Sequence, residues 1–140
     1  MSEQFDPEQF VRMAGDAIVA AGADGGIVLW NPAAERIFGY TEREALGRSL
    51  DLIIPERFRQ RHWDGYRETM RTGHTRYGTE VLRVPAIHKD GRALSIAFTV
   101  ALTNAADTGA RVIAAIIRDE TTRWNEEREL RRRLAELEPK

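Results

Sequence analysis

The sequence predicts an α+β domain in which short helices cover one face of a five-stranded antiparallel sheet, with a further helix at each end. Two observations carry this prediction. Apolar side chains at every second position of residues 94–102 have the period of a half-buried strand. Capped helix signals occur together between residues 31 and 73, and β-prone runs joined by hairpin turns lie before and after them.

Size and composition are those of an ordinary globular domain. The chain has 140 residues, of which 42% are hydrophobic and 31% charged, and its formal net charge is -1. One core can form at this length, and nothing in the charge attracts nucleic acid or an anionic membrane. The absence of cysteine excludes disulfides and thiolate metal sites. Without a signal peptide or an apolar run of about 18 residues, we expect a cytoplasmic location and no membrane segment.

Residues 1–14 are predicted to form a helical cap in front of the main domain, which occupies residues 15–120. Asp6 is a favoured N-cap residue, and Pro7 suits the first helical position. The helix carries an apolar stripe that needs a surface to pack on. This stripe consists of Phe10, Val11 and Met13. The alternative is a frayed chain end that packs weakly.

A β-hairpin is predicted next. Ala17–Ala21 and Ile27–Trp30 are β-prone runs, and residues 24–26 between them read Asp-Gly-Gly. Glycine adopts positive φ without steric cost, so this tripeptide suits a tight turn.

Two short helices follow the hairpin, each with its own start and stop signal. Asn31 is an N-cap residue for the first helix, and Gly39 ends that helix in the left-handed region. Thr41 and Glu44 have the spacing of a capping box, which opens the second helix, and Gly47 ends it.

A longer helix is predicted over residues 56–71, after an apolar link at residues 50–54. Pro55 is tolerated at a helix start, and Gly73 marks the end. Four side chains recur every four residues and lie along one face. They are Phe58, His62, Tyr66 and Met70. His62 is therefore expected to point inward or along a cavity wall.

The second half is predicted to contain three strands, at residues 77–88, 94–103 and 112–117. The turn at residues 89–91 closes a hairpin between the first two, and residues 104–109 form a polar turn. Residues 112–117 are apolar on both faces, as in a central strand, so we place this strand beside the first one.

The character of the chain changes from residue 121, and residues 121–140 are predicted to form a signalling helix or linker. Apolar positions recur there with the spacing of a two-stranded coiled coil. They are Trp124, Leu130, Leu134 and Leu137, with Glu127 at one further seam position. This pattern predicts a homodimer; the alternative is a solvated helix docked on its own domain.

The stretch from residue 25 to residue 47 resembles the signature of the PAS sensor domains. The shared pattern is G-x-I-x-x-x-N-x-A-A-E-x-x-F-G-Y-x-x-x-E-x-x-G. Further matches lie at residues 89–91 and at Arg118, Asp119 and Thr121, so the resemblance covers roughly residues 12–125. It implies the strand order 2-1-5-4-3, and an N-terminal helix that lies on the sheet or at a dimer contact.

The resemblance implies a sensory and dimerisation domain of a larger signal-transduction protein. Such a domain senses a small ligand or the state of a cofactor in a central pocket. Asp119 and Thr121 match the D-x-T motif that joins the last strand to the exit helix. An effector beyond residue 140 would be a kinase, a cyclase or a transcription regulator. The competing interpretation is a ligand-free interaction module that only dimerises or docks on a partner.

The helix that carries His62 is similar to that of the haem-binding oxygen-sensor kinases of this family, which makes His62 a candidate axial ligand of haem iron. The other candidate cofactor-binding residues are Phe58, Tyr66, Ile96, Phe98 and Val100. Those sensors place an arginine on the distal strand, where this chain has Leu82 followed by Arg83. The alternative role for His62 is purely structural.

Flavin is the other cofactor that the family uses, and Trp30 or Trp63 would be its neighbours. The missing cysteine excludes the flavin-adduct photochemistry of the light-sensing members. A small organic ligand or no ligand completes the alternatives. No catalytic or metal-binding motif occurs in the sequence, so we expect no enzymatic activity.

Overall fold

A single five-stranded antiparallel sheet organises the computed structural model, which describes residues 3–75 and 78–138. Its spatial order is β2-β1-β5-β4-β3. The strands are β1 (Ala17–Ala21), β2 (Ile27–Trp30), β3 (Leu82–Ile87), β4 (Ala93–Asn104) and β5 (Arg111–Asp119). The α+β fold class, the antiparallel pairing and the order 2-1-5-4-3 are all confirmed.

Five α-helices accompany the sheet in the described part of the chain. They are α1 (Pro7–Met13), α2 (Pro32–Phe38), α3 (Glu42–Ala45), α4 (Arg59–Thr72) and α5 (Thr121–Leu137). The predicted caps hold: Asn31 accepts a hydrogen bond from the backbone of α2, Gly39 is left-handed, and Thr41 and Glu44 form a reciprocal capping box.

The core lies between one face of the sheet, the helices α2 and α3, and the 3₁₀ turn at residues 50–53. Its largest fully buried side chains are Trp30, Phe38 and Ile27. The register places the apolar residues of neighbouring strands side by side on this face, since Val19 of β1 is opposite Ala115 of β5, which is opposite Val100 of β4. This row forms the floor beneath α4.

Two elements begin three or more residues later than predicted. The third strand begins at Leu82 instead of residue 77, because residues 78–79 form a turn in which Gly78 takes a φ of 56°; Tyr77 lies outside the described residues. Pro85 is accommodated because β3 is an edge strand. Residues 56–58 form a 3₁₀ turn, so α4 begins at Arg59.

The terminal helices expose their apolar residues. Phe10 of α1 is 59% exposed, and α1 is joined to the core through Asn31, whose Nδ2 donates to the Val11 carbonyl. No residue of α5 is buried, and Leu137 is 80% exposed. Within the described ranges, no helix has both the length and the apolar character needed to cross a membrane.

Candidate functional site

An apolar cavity of about 140 Å³ lies between α4 and the inner face of the sheet. His62 and Tyr66 come from α4 and are, in the part of the chain that the structure describes, the only lining residues with a polar side chain. The other lining residues are aliphatic or aromatic: Val19, Ala21, Leu50, Ile53, Ile54, Val84, Pro85, Ala86, Ile96, Phe98, Val100, Ile113, Ala115 and Ile117. The cavity can therefore hold a mainly apolar molecule.

His62 is the chemically distinctive residue of this cavity. Its Nδ1 atom is buried and has no hydrogen-bond partner within residues 3–75 and 78–138. A buried polar atom without a partner costs about 1–3 kcal/mol, so it calls for an explanation such as a bound group. Burial lowers the pKa of His62 below its ordinary value of 6.5, against the smaller opposing effect of the Asp51 carboxylate. The imidazole is therefore neutral near pH 7.

Two hydrogen bonds from α4 fix the height of the helix above the sheet. The Tyr66 hydroxyl donates to the Gly22 carbonyl at the hairpin between β1 and β2, and the Trp63 indole donates to Asp51 over 2.7 Å. Trp63 also packs directly on Gly25, where a Cβ atom would overlap the indole ring. Gly25 has a φ of 81°, so glycine is required there both for its conformation and for this close contact.

The far end of α4 is fastened by Arg111 of β5. The Arg111 guanidinium donates to the carbonyls of Met70 and Arg71 in the last turn of the helix. A cation at this position satisfies carbonyls that have no partner within the helix and complements the helix dipole. Strand β5 thus lines the cavity through Ile113 and binds the last turn of α4 through Arg111.

Five of the six predicted cofactor-binding residues lie around this cavity. They are His62, Tyr66, Ile96, Phe98 and Val100. Phe58 does not line it, because the residue precedes α4 and its ring lies 4.7 Å from the guanidinium carbon of Arg57. The Tyr66 hydroxyl is already engaged with Gly22, and burial, followed by the charge of Asp24, raises the pKa of this phenol.

A neutral imidazole such as that of His62 can bind haem iron, but the volume of the cavity is too small for the porphyrin macrocycle. Pockets that bind drug-sized ligands have volumes of about 300–1,000 Å³, whereas the volume of this cavity is about 140 Å³. A porphyrin therefore does not fit while α4 lies at its observed distance from the sheet. Leu82 is opposite Phe98, whereas Arg83 lies in a groove beside α5 and so does not stand in for a distal arginine.

Neither tryptophan proposed as a flavin neighbour lines the cavity. Trp30 is 1% exposed, packs on Phe38 with ring centroids 5.6 Å apart, and donates to the Tyr40 carbonyl. The Trp63 ring packs on Gly25, and its indole N–H donates to Asp51, as described above. Both side chains therefore have structural roles outside the cavity.

Asp119 and Thr121 form a compact hydrogen-bonded junction at the start of α5. Asp119 Oδ1 accepts from the backbone N–H and the hydroxyl of Thr121. The Thr121 hydroxyl oxygen accepts in turn from the backbone N–H of Ser95 over 3.0 Å, and the Glu120 N–H donates to the Ser95 carbonyl. The junction therefore fastens α5 to β4 as well as to β5.

Ser95 was not recognised as a functional residue from the sequence. It lies in an alternating strand at a position that reads as an outward-facing polar residue, and no local pattern indicates that its backbone receives the exit helix. Its neighbour Ile96 lines the cavity and is opposite Asp119 in the register. The cavity wall and the junction thus share adjacent residues.

Arg118 does not pair with its sequence neighbour Asp119. Its Nε and Nη2 atoms instead each donate to one carboxylate oxygen of Asp16, both over 3.2 Å. Arg118 and Asp119 are consecutive in a strand and therefore point to opposite faces of the sheet. The interaction joins the end of β5 to the segment that precedes β1.

Asn31 has a larger role than the N-cap that its sequence context indicates. The side chain is 3% exposed, and its Oδ1 accepts from the N–H groups of Ile18 and Ala34. Its Nδ2 donates to the carbonyls of Val11 and Asp16. One amide thus links α1, β1 and α2.

The relatives that share sequence with this chain include the following three proteins. An uncharacterised protein of Azorhizobium caulinodans is 34% identical over 118 residues, which are 84% of this chain and 16% of that protein. The sensor protein FixL of Bradyrhizobium diazoefficiens is 42% identical over 57 residues, 41% of this chain and 11% of FixL. The oxygen sensor protein DosP of Escherichia coli is 29% identical over 93 residues, 66% of this chain and 11% of DosP. The chain thus spans only a small part of each relative.

Comparison with solved structures supports the same fold. The PAS domain of a protein from Colwellia psychrerythraea superposes with a TM-score of 0.69 at 20% identity, covering 82% of this chain and 94% of that one. The family model described as PAS fold matches residues 6–120. This match includes the whole sheet, the cavity and the Asp119 end of β5, and the chain therefore belongs to the PAS family.

Proposed function

We propose that this PAS domain senses a small ligand in the cavity beneath α4 and passes its occupancy to α5. The observation that carries the proposal is the apolar cavity lined by His62, whose buried Nδ1 has no hydrogen-bond partner in the described part of the chain. A bound molecule with a hydrogen-bonding group would satisfy this atom, while its apolar part would fill the remaining volume.

The route from the cavity to α5 is short. Ile96 belongs to both the cavity and the junction at the start of α5, since the residue lines the cavity and its backbone lies opposite Asp119. A ligand that displaces Ile96 would also move Ser95, whose N–H donates to Thr121. The response requires that the ligand bind one arrangement of this junction more tightly than another.

The output would be the geometry of a homodimer. The seam residues of α5 are all exposed, from 47% for Trp124 to 80% for Leu137, and are available to a second copy of the helix. FixL and DosP are named as sensors, and both are several times longer than this chain. We place the domain in a longer signalling protein on this basis, with its effector outside the residues given.

Haem is the second candidate ligand. It is favoured by the neutral imidazole of His62, which can act as an axial ligand, and by the partial similarity to FixL and to the oxygen sensor DosP. When bound, haem would supply an iron centre whose ligation state reports on gas or redox conditions. His62 would hold it, and α4 would have to lie further from the sheet.

The test is the visible absorption spectrum of the purified chain before and after addition of hemin, combined with native mass spectrometry. His62→Ala is compared with His74→Ala, because His74 is exposed and does not line the cavity. A small-molecule adduct without a Soret band supports the main proposal. A Soret band that His62→Ala alone abolishes replaces it with haem. A protein that binds neither hemin nor any small molecule would be an interaction module, and the proposal fails.

A further inference from the structure

We infer that the cavity selects an uncharged molecule about the size of one six-membered ring that carries a single hydroxyl group directed at His62. This inference rests on the proposed function and adds the chemical class of the ligand. It follows from three independent properties of the cavity, namely its volume, the absence of charge in its lining, and the number of polar atoms still open to a ligand.

The volume sets the size of the ligand. The cavity has about 140 Å³, and an engineered apolar cavity of about 150 Å³ in another protein binds benzene. A single ring with one substituent therefore fills the space. Nucleotides, flavins and porphyrins exceed it.

The lining sets the charge. Among the described residues that line the cavity, none is Lys, Arg, Asp or Glu. An ionised ligand would lose its hydration without gaining a counter-ion, which costs far more than the apolar contacts return. The Asp51 carboxylate, which does not line the cavity, accepts a hydrogen bond from the indole of Trp63 and lies 3.8 Å from the guanidinium of Arg59. The ligand is therefore neutral.

The remaining polar atoms set the functional group. The Tyr66 hydroxyl proton is donated to Gly22, which leaves the imidazole of His62 as the polar lining group for which the described residues supply no hydrogen-bond partner to one nitrogen, the buried Nδ1. A neutral imidazole carries a proton on one nitrogen and a lone pair on the other. A hydroxyl group can both donate and accept, so it can pair with the imidazole in either tautomer, whereas a methyl group in the same position cannot.

The experiment compares phenol, toluene and benzoate as probes in NMR titrations of the 140-residue chain at pH 7. Phenol and toluene have the same number of heavy atoms and differ in the hydroxyl group alone. We expect phenol to bind about two- to tenfold more tightly than toluene, the contribution of one net hydrogen bond, and benzoate not to bind. His62→Leu should remove this preference while toluene still binds, and His74→Leu should leave the preference unchanged.

The outcomes separate the ligand class from the function. Equal affinities of phenol and toluene in the unmodified chain overturn the inferred class, whether or not His62→Leu folds, and leave the cavity as a binding site. A preference for phenol that persists in His62→Leu overturns the role of His62. Binding of none of the three probes contradicts the proposed function itself, and so does a perturbation of resonances far from α4 alone.

Discussion

Replacing Thr121 by valine removes one hydroxyl group from the junction between β4, β5 and α5 and keeps the shape of the side chain. This hydroxyl accepts a hydrogen bond from the Ser95 N–H and donates one to Asp119. Two other contacts of the junction remain, because the Thr121 N–H still donates to Asp119 and the Glu120 N–H still donates to the Ser95 carbonyl. The change therefore loosens the junction without dismantling it.

The expected cost follows from the two lost hydrogen bonds. A neutral pair such as Ser95 and Thr121 contributes about 0.5–1.5 kcal/mol, and a hydrogen bond to a carboxylate contributes about 1.5–3 kcal/mol, near the lower limit where it is exposed to water as at Asp119. The sum is about 2 kcal/mol, which corresponds to roughly a 30-fold change in an opening equilibrium.

Amide hydrogen exchange measures this opening directly. We expect the Ser95 amide to exchange roughly 30-fold faster in Thr121→Val than in the unmodified chain, and about as slowly in Thr121→Ser, which keeps the hydroxyl. The free energy of unfolding in urea gives the global effect. If the Ser95 amide exchanges at the same rate in the valine and serine variants, the hydroxyl does not hold α5 to β4, and the proposed route from the cavity is refuted.

Three further predictions concern α4, α3 and α5. Gly47→Ala should lower the free energy of unfolding in urea by about 1–2 kcal/mol, because the φ of 82° at this position is unfavourable for alanine. Gly25→Ala should lower it further, since the new Cβ atom would also displace Trp63. Equal losses in the two variants would contradict the close contact between Gly25 and Trp63. Hydrogen bonds from Lys89 and then the Thr41 N–H lower the pKa of Glu44 from 4.5 to about 2. The stabilisation by Glu44 is thus complete above pH 4.5 and lost as the pH falls toward 2. The difference in urea midpoint between the unmodified chain and Glu44→Gln should therefore disappear over that pH interval. A difference that does not change with pH would exclude a contribution of Glu44 ionisation to stability. Leu134→Glu should shift the sedimentation profile toward the monomer, because the charge would lie in the proposed coiled-coil seam. Ala135→Glu lies outside the seam and should not shift it. Identical profiles of the two variants would argue against dimerisation through this seam.

Local signals predicted both ends of α2 and the start of α3, because each of these signals depends on residues close in sequence. Asn31 and Gly39 delimit α2, and the capping box of Thr41 and Glu44 opens α3, through contacts that span three or four residues. The family resemblance added the strand order, which no local pattern contains. Alternation in β4 correctly placed Ile96, Phe98 and Val100 on one face.

The remaining features depend on distances that alternation and capping do not encode. The pairing of Arg118 with Asp16 joins residues 102 positions apart in the chain, and the contact between Trp63 and Gly25 depends on how closely α4 approaches the hairpin. That same approach determines the cavity volume, so helical periodicity could place His62 on the inner face but could not give the volume of the cavity beside it.

The ion pair between Asp16 and Arg118 also has a consequence for protein engineering. Ala17 is opposite Ile117 in the sheet, so the chain enters β1 and leaves β5 at the same end of these two strands, where Nε of Arg118 lies 3.2 Å from Oδ1 of Asp16. Domain insertion into a loop of a host protein requires two chain ends that lie close together at the surface. Cuts beside residues 16 and 118 would meet this requirement, and the bidentate contact would keep the two junctions side by side.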